Sequence, residues 1–144
     1  MTTISKSALV PYSAQEMYEL VADVEGYPRF LPWCAGARVL ERDESGLVAD
    51  IDMAFGGVHK TFTTRNTHSP GRMDIRLVRG PFSRLEGSWR FTQVGELGSR
   101  ISLDLEFDFA SRLLALAVGP VFATIANSLV DSFKRRAREV YGAR

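Results

Sequence analysis

A long, mostly apolar helix is predicted at the end of this chain, directly after a series of alternating strands. Between Arg112 and Tyr141, apolar residues recur every three or four positions, which is the spacing of an α-helix with one buried stripe. The stripe consists of Leu114, Val118, Phe122, Ile125, Leu129, Phe133, Ala137 and Tyr141. Because such a stripe needs an apolar surface opposite it, the strands that come before it decide what the chain can fold into.

The strands before this helix each have one apolar and one polar face. Apolar residues alternate with polar ones from Ile101 to Phe109, and the same period of two recurs in segments 47–55, 73–77 and 85–91. Residues suited to tight turns separate these segments, and short connections imply antiparallel neighbours. The turn segments are Asp43–Gly46, Gly56–Gly57, Ser69–Gly71, Gly80–Pro81 and Gly95–Gly98.

One further strand and one short helix are predicted at the start of the chain. The strand covers Thr3 to Val10, and the helix runs from about Ser13 to Val24. Ser13 followed by Glu16 is the capping-box pattern of a helix N-terminus. The sequence therefore predicts one α+β domain over residues 1–144, in which six or seven antiparallel strands curve around the C-terminal helix.

Charge and cysteine content exclude several classes of protein. The 144 residues carry a formal net charge of +1, which argues against a globally basic nucleic-acid-binding protein and against a DNA partner. The single Cys34 excludes an intramolecular disulfide and fits a reducing compartment. The first residues lack the apolar core of a secretion signal. We therefore expect a cytoplasmic protein, in contact at most with the inner face of the cytoplasmic membrane.

The apolar segment Leu113 to Val130 has nearly the length of a membrane span, but we interpret it as the core helix of the sheet. Pro120 and Asn127 interrupt it, and a separate span would leave the apolar faces of the strands uncovered.

A strongly curved sheet has more inward surface than one helix can fill. Either large side chains fill the remaining volume or a cavity stays open between sheet and helix. The bulky inward candidates are Met53, Phe55, Phe62, Trp89, Phe91, Phe107 and Phe109. For any single one of them core packing is the ordinary use, whereas the set as a whole favours a pocket.

Three segments resemble one known family. Tyr27–Cys34 places large apolar residues between two prolines, which exclude a regular helix or central strand there. Together with Gly80–Phe91 and Ser132–Gly142, this segment resembles the coenzyme Q-binding, START-like family. That family also includes bacterial ribosome association toxins and was earlier labelled oligoketide cyclase/lipid transport. The resemblance covers essentially the whole chain.

The resemblance implies a helix-grip fold with an apolar tunnel between the sheet and the C-terminal helix. Mitochondrial members bind ubiquinone and support respiratory electron transport. The bacterial toxin member is described as binding the large ribosomal subunit and blocking subunit association. The segments that carry the resemblance do not separate these two functions, so both remain hypotheses here.

The first hypothesis is non-enzymatic binding of a hydrophobic small molecule, ubiquinone or another polyprenyl lipid, with no other cofactor. Its tail would lie in the tunnel, and Arg65 or Lys60 would contact its ring. The predicted lining consists of Trp33, Phe55, Phe62, Trp89, Phe91, Leu114, Val118, Phe122 and Ile125. Changing Phe122 to Glu is expected to abolish binding without unfolding the sheet.

Basic residues cluster near the end of the long helix: Lys134, Arg135, Arg136 and Arg138. A solvated face explains them without any function, because cations are favoured at a helix C-terminus. The alternatives are contact with an anionic membrane surface or with phosphates of the large ribosomal subunit.

Gly119–Pro120 lies inside the same helix and predicts a kink or local break. It would act either as a hinge at the tunnel mouth or as a static bend that follows the sheet.

An enzyme is the least supported hypothesis. His59 and His68 are the only side chains whose ordinary pKa lies near neutrality, and neither stands beside a nucleophile in the sequence. Cys34 has no zinc-ligand spacing to them. Asp104 and its neighbouring carboxylates lie on the polar face, where ion pairs with residues such as Arg90 are their ordinary use. We expect no catalytic residue and no metal site.

Overall fold

Seven strands and one long helix dominate the structure, a computed structural model that describes residues 1–144. The elements in chain order are β1 (Thr2–Val10), α1 (Ala14–Ala22), a 3₁₀ helix (Val24–Arg29), β2 (Cys34–Asp43), β3 (Gly46–Phe55), β4 (Val58–Ser69), β5 (Arg72–Arg79), β6 (Phe82–Val94), β7 (Gly98–Phe109) and α2 (Arg112–Tyr141). Every predicted turn segment lies at a strand junction.

The strands form one antiparallel sheet in the order β1-β7-β6-β5-β4-β3-β2. Strands β2 to β7 follow one another as a meander, and β1 pairs with β7 along its whole length, from Thr2 opposite Phe107 to Val10 opposite Ser99. The sheet curves around α2. This architecture confirms the predicted α+β helix-grip fold.

Helix α1 begins where the capping pattern predicts. The Ser13 hydroxyl accepts a hydrogen bond from the Glu16 backbone N–H at 3.1 Å, and the Glu16 carboxylate accepts one from the Ser13 N–H at 3.0 Å. The helix ends at Ala22, two residues before the predicted Val24. A 3₁₀ helix containing Pro28 follows it and leads to the edge strand β2.

Helix α2 has the predicted bounds and packs against the sheet. Its buried residues are Val118, Phe122, Ile125, Ala126, Val130, Ser132, Phe133 and Ala137. The helix is long and apolar enough to cross a membrane by length and composition, yet here it covers the inner face of the sheet. It runs without interruption through Pro120, so the predicted local break does not occur.

Four phenylalanine rings from three strands surround Phe122 in the middle of α2. Phe122 lies within 4.7 Å of Phe107 and 4.8 Å of Phe82, measured between ring centroids, and its ring also contacts Phe62 and Phe109. These contacts hold the middle of α2 against β4, β6 and β7.

The last residues of the chain contact α1 and the loop before it. Tyr12 donates a hydrogen bond to the Gly142 carbonyl at 2.6 Å, and Tyr141 donates one to the Glu16 carbonyl at 3.1 Å. The Arg144 guanidinium bonds the Glu16 carboxylate at 2.7 Å, which holds the pKa of that carboxyl at about 2. The C-terminal end of α2 therefore lies beside α1.

Candidate functional site

An apolar cavity of about 90 Å³ lies between α2 and the inner face of the sheet. Residues of α2, from Phe122 to Phe133, form one wall. Val24 and Tyr27 of the 3₁₀ helix and Trp33 close one side. Strand residues form the remaining wall: Ile51, Phe62, Thr64, Asn66, Ile75, Leu85, Trp89, Leu103 and Leu105. Fifteen of the seventeen lining residues are hydrophobic, so the cavity suits an apolar group.

Five of the nine predicted lining residues meet at this cavity, namely Trp33, Phe62, Trp89, Phe122 and Ile125. They come from one loop, two strands and the helix, and only the curvature of the sheet brings them together. Their contact with a ligand stays a prediction.

The other four predicted lining residues lie elsewhere. Phe91 is buried on the α1 side, with its ring edge-on to Tyr18 at 5.6 Å. Val118 is buried in the core away from the cavity. Phe55 stands at the β3–β4 turn and is 44% exposed, and Leu114 is half-buried in the first turn of α2. Alternation identifies the inward face of a strand but not which neighbours its residues meet.

Two polar residues that sequence reasoning missed face the cavity from β4. Thr64 and Asn66 are each 5% exposed, and the Thr64 hydroxyl donates a hydrogen bond to Asn66 Oδ1 at 3.0 Å. This bond uses the amide oxygen and leaves the amide hydrogens of Asn66 free to donate. The alternation of Phe62, Thr64 and Asn66 along β4 could have shown that all three point inward. It was not recognised because β4 carries polar residues on both faces.

A third polar group in the cavity wall is the indole of Trp33. Its Nε1–H is buried and has no hydrogen-bond partner. A buried N–H without a partner costs free energy comparable to a lost hydrogen bond. Two residues that line the cavity, Trp33 and Asn66, therefore carry N–H groups with no partner in the structure.

The size of the cavity limits what can occupy it in this conformation. Engineered cavities of about 150 Å³ hold one benzene molecule. At about 90 Å³ the cavity is smaller than that, so a quinone ring needs the wall to move outward. A polyprenyl tail does not fit inside the closed cavity.

The two cations predicted to contact a ligand ring do not line the cavity. Arg65 bonds the Asp43 carboxylate at 3.0 Å on the outer face of the sheet. Lys60 lies opposite Met53 on β3 and is exposed near the β3–β4 turn.

The predicted ion pair between Arg90 and Asp104 is present at 3.7 Å.

The side chains considered for acid–base or nucleophilic chemistry are dispersed. His59 and His68 lie near opposite ends of β4. Burial lowers the pKa of His68, whose ring lies edge-on to Tyr18 at 5.7 Å. Burial raises the pKa of the Cys34 thiol to about 11, so this thiol is protonated at neutral pH.

The basic cluster lies on the last third of α2. Lys134, Arg135 and Arg138 are exposed and have no carboxylate partner. Arg136 bonds Glu139 at 3.3 Å and lies over the Phe30 ring at 5.1 Å, so it has a packing role.

Comparisons with known proteins agree with this fold. The family model described as polyketide cyclase / dehydrase and lipid transport matches residues 10–134. The ribosome association toxin RatA of Vibrio cholerae serotype O1 is 46% identical over 143 residues, which are 99% of each chain. The mitochondrial coenzyme Q-binding protein coq10 of Schizosaccharomyces pombe is 27% identical over 138 residues, which are 92% of this chain and 84% of that protein.

Solved structures show the same fold. A START superfamily protein from Mycobacterium smegmatis superimposes with a TM-score of 0.83 at 20% identity and covers 96% of this chain and 98% of its own. The two relatives are named as a ribosome association toxin and as a coenzyme Q-binding protein. The family resemblance predicted from the three sequence segments is confirmed. The chain belongs to the START-like polyketide cyclase/dehydrase and lipid transport family.

Proposed function

We propose that this protein binds, without chemical turnover, a hydrophobic ligand that carries a carbonyl oxygen, with ubiquinone or a related polyprenyl lipid as the ligand class. The observation that carries the proposal is the apolar cavity with an unpartnered indole N–H in its wall. A quinone oxygen would satisfy the Trp33 donor, and the Asn66 amide could donate a second hydrogen bond. The coenzyme Q-binding relative supports the same ligand class.

The proposed binding mode places the quinone ring between Trp33, Trp89 and α2. The isoprenoid tail leaves toward the N-terminal half of α2, where Leu113 and Leu116 are 76% and 73% exposed. Each methylene buried there contributes about 0.8 kcal/mol. Because the closed cavity is small, entry of the ring requires this half of α2 or the neighbouring β3–β4 turn to move outward. In the cell, the protein would carry its ligand in the cytoplasm and support respiratory electron transport.

Enlarging Ala126 tests this binding mode. Ala126 is fully buried in the α2 wall of the cavity, and a leucine there would fill the space that a ring needs. We expect Ala126→Leu to weaken binding of a short-chain ubiquinone about tenfold or more, while overpacking costs about 1 to 3 kcal/mol of stability. Quenching of Trp33 and Trp89 fluorescence measures the binding, since both indoles line the cavity.

The matched control is Ala117→Leu, the same substitution at an exposed position of the same helix. It should bind the quinone as the wild type does. Urea denaturation shows whether the Ala126→Leu protein is folded. Unchanged affinity in a folded Ala126→Leu protein would place the ligand elsewhere. A polyprenyl alcohol that binds as tightly as the quinone would remove the role assigned to the carbonyl oxygen.

A second candidate is a regulator that binds the large ribosomal subunit and blocks subunit association. It is favoured by the relative named as a ribosome association toxin, whose 46% identity over 99% of both chains exceeds the 27% of the coenzyme Q-binding relative. The exposed cations Lys134, Arg135 and Arg138 would supply the phosphate contacts.

Neutralising these cations tests the second candidate. We expect Lys134→Gln/Arg135→Gln/Arg138→Gln to weaken co-sedimentation with large subunits. The slope of log K for binding against log salt concentration should become less steep by about 0.7 to 0.9 per lost phosphate contact. The control is Lys6→Gln/Arg42→Gln/Arg100→Gln, which removes one lysine and two arginines that are also exposed and without a carboxylate partner. Equal loss in both triple variants would mean a nonspecific charge effect.

A further inference from the structure

The N-terminal half of α2 exposes more apolar surface than its role as the core helix requires. Leu113 is 76% exposed and Leu116 is 73% exposed. Ala117 and Pro120 are also exposed. Only 28% of the most apolar 18-residue window of α2 is buried. Contiguous exposed apolar surface of this kind marks a site of interaction with a partner or a membrane.

The β3–β4 turn extends this apolar surface. Phe55 is 44% exposed, and a methyl group placed on Gly56 would lie 3.4 Å from Val121 Cγ2, so the turn packs beside α2. Phe82 pairs with Phe109, and the Ala110 N–H bonds the Pro81 carbonyl at 3.0 Å. The β3–β4 turn, the β5–β6 turn and the start of α2 thus lie at one end of the molecule, which we name the apolar end.

The apolar end is free of acidic residues along the chain. Segments 53–63, 77–85 and 109–130 contain none of the 17 aspartate and glutamate residues. They contain Lys60, Arg79, Arg84 and Arg112. Lys60 and Arg112 are exposed and have no carboxylate partner. The bordering Asp108 lies 3.8 Å from the N-terminal amine. Arg79 is paired with Asp50, and Arg84 with Glu86 and Glu106, so Lys60 and Arg112 are the unpaired cations beside the protruding leucines. This end therefore complements a surface that is apolar inside and negatively charged outside.

We propose that the apolar end docks on an anionic phospholipid membrane. Leu113, Leu116 and Phe55 enter the boundary between headgroups and acyl chains, and Lys60 and Arg112 contact lipid phosphates. This inference rests on the proposed function and adds where the ligand is exchanged. Phe122 lies both in the cavity wall and in the ring cluster under the apolar end. A docked protein therefore exchanges its ligand directly with the bilayer.

The apolar end and the basic cluster lie far apart on the molecule. Lys134 follows Leu113 by 21 positions in one uninterrupted helix, which corresponds to about 30 Å at a rise of 1.5 Å per residue. The leucines and the basic cluster therefore lie near opposite ends of α2. The basic cluster stays available for a different partner while the apolar end is docked.

Co-sedimentation with vesicles tests the docking surface. The vesicles are phosphatidylcholine alone and phosphatidylcholine mixed with phosphatidylglycerol. We expect Leu113→Ser/Leu116→Ser to reduce partitioning onto the mixed vesicles about tenfold or more. The control Leu9→Ser/Leu97→Ser removes two leucines that are 59% and 78% exposed away from the apolar end, and it should partition as the wild type does. Lys60→Gln/Arg112→Gln should remove the preference for the anionic vesicles.

A fluorescent label reports whether the leucines enter the bilayer. Leu116→Cys can be labelled selectively because Cys34 is buried and its thiol is protonated. A polarity-sensitive dye at this position should shift to the blue on the mixed vesicles, whereas the same dye on Leu97→Cys should not.

Three results would overturn the docking proposal. The first is equal vesicle binding by the Leu113→Ser/Leu116→Ser variant and its control. The second is loss of vesicle binding in Lys134→Gln/Arg135→Gln/Arg138→Gln instead. The third is loss of large-subunit binding, and not of vesicle binding, when the two leucines are replaced. Quinone binding without vesicles is measured separately: if it fails while docking persists, the proposed function is wrong and the docking surface stands.

Discussion

Replacing Phe122 with alanine is expected to lower the free energy of unfolding by about 3 to 5 kcal/mol, measured by urea denaturation. Phe122 is 5% exposed, and its ring lies among those of Phe62, Phe82, Phe107 and Phe109. Removing the ring leaves a void that four rigid neighbours from the sheet cannot fill. A loss of this size is a large part of the stability of an ordinary domain, which is about 5 to 15 kcal/mol.

Leu116→Ala is the control for this prediction, because Leu116 lies on the same helix and is 73% exposed. It should change the stability by about 0.5 kcal/mol or less. Similar losses in both variants would contradict the role given to the ring cluster. The same geometry corrects the expectation for Phe122→Glu: a carboxylate at this buried position would unfold the protein and would not report on ligand binding alone.

Replacing Gly46 with alanine is expected to destabilise the protein by about 3 to 5 kcal/mol, as the second large effect. A Cβ on Gly46 would lie 1.9 Å from the Asn66 carbonyl oxygen, which is backbone of the paired strand β4. Only separation of β3 from β4 can relieve this contact. Because Asn66 also faces the cavity, the surviving folded protein should bind quinone more weakly.

Gly95→Ala provides the matched control at another turn between strands. Gly95 has a φ of +66°, and a Cβ there would meet nothing within 4 Å. The substitution should cost about 1 kcal/mol, the ordinary penalty for a left-handed alanine. If the two alanine variants melt at the same temperature, the close approach of β3 to β4 has no special importance. Thermal unfolding followed by circular dichroism is sufficient for the comparison.

The order and bounds of the elements could be predicted because each signal is local. The repeat from Leu114 to Tyr141 defines α2, and the Gly-rich and Pro-containing segments define the turns. The capping pattern of Ser13 and Glu16 likewise depends only on residues within one helical turn. These patterns identify the helices and strands and their order, and they require no information on which residues are close in space.

The composition of the cavity could be predicted only in part because it depends on curvature. Phe91 and Trp89 are close in the sequence, but Phe91 packs toward α1 while Trp89 lines the cavity. Phe55 fits the alternating pattern of β3, but it is the last residue of that strand and is therefore partly exposed. Thr64 and Asn66 lie on the inward face although polar residues usually face water. The alternation of apolar and polar residues along a strand therefore does not determine which side chains line the cavity.

The strand order also determines when the sheet can be completed during synthesis. Strands β2 to β7 form by successive hairpins, whereas β1 waits for β7, its partner near the other end of the chain. Helix α2 follows all seven strands in the chain, so a polypeptide released at Ser111 would hold the whole sheet with no cover on its apolar face. An exposed apolar face of this kind promotes aggregation and binding by chaperones. Release of the chain before α2 has been synthesised would therefore produce the form most prone to aggregation.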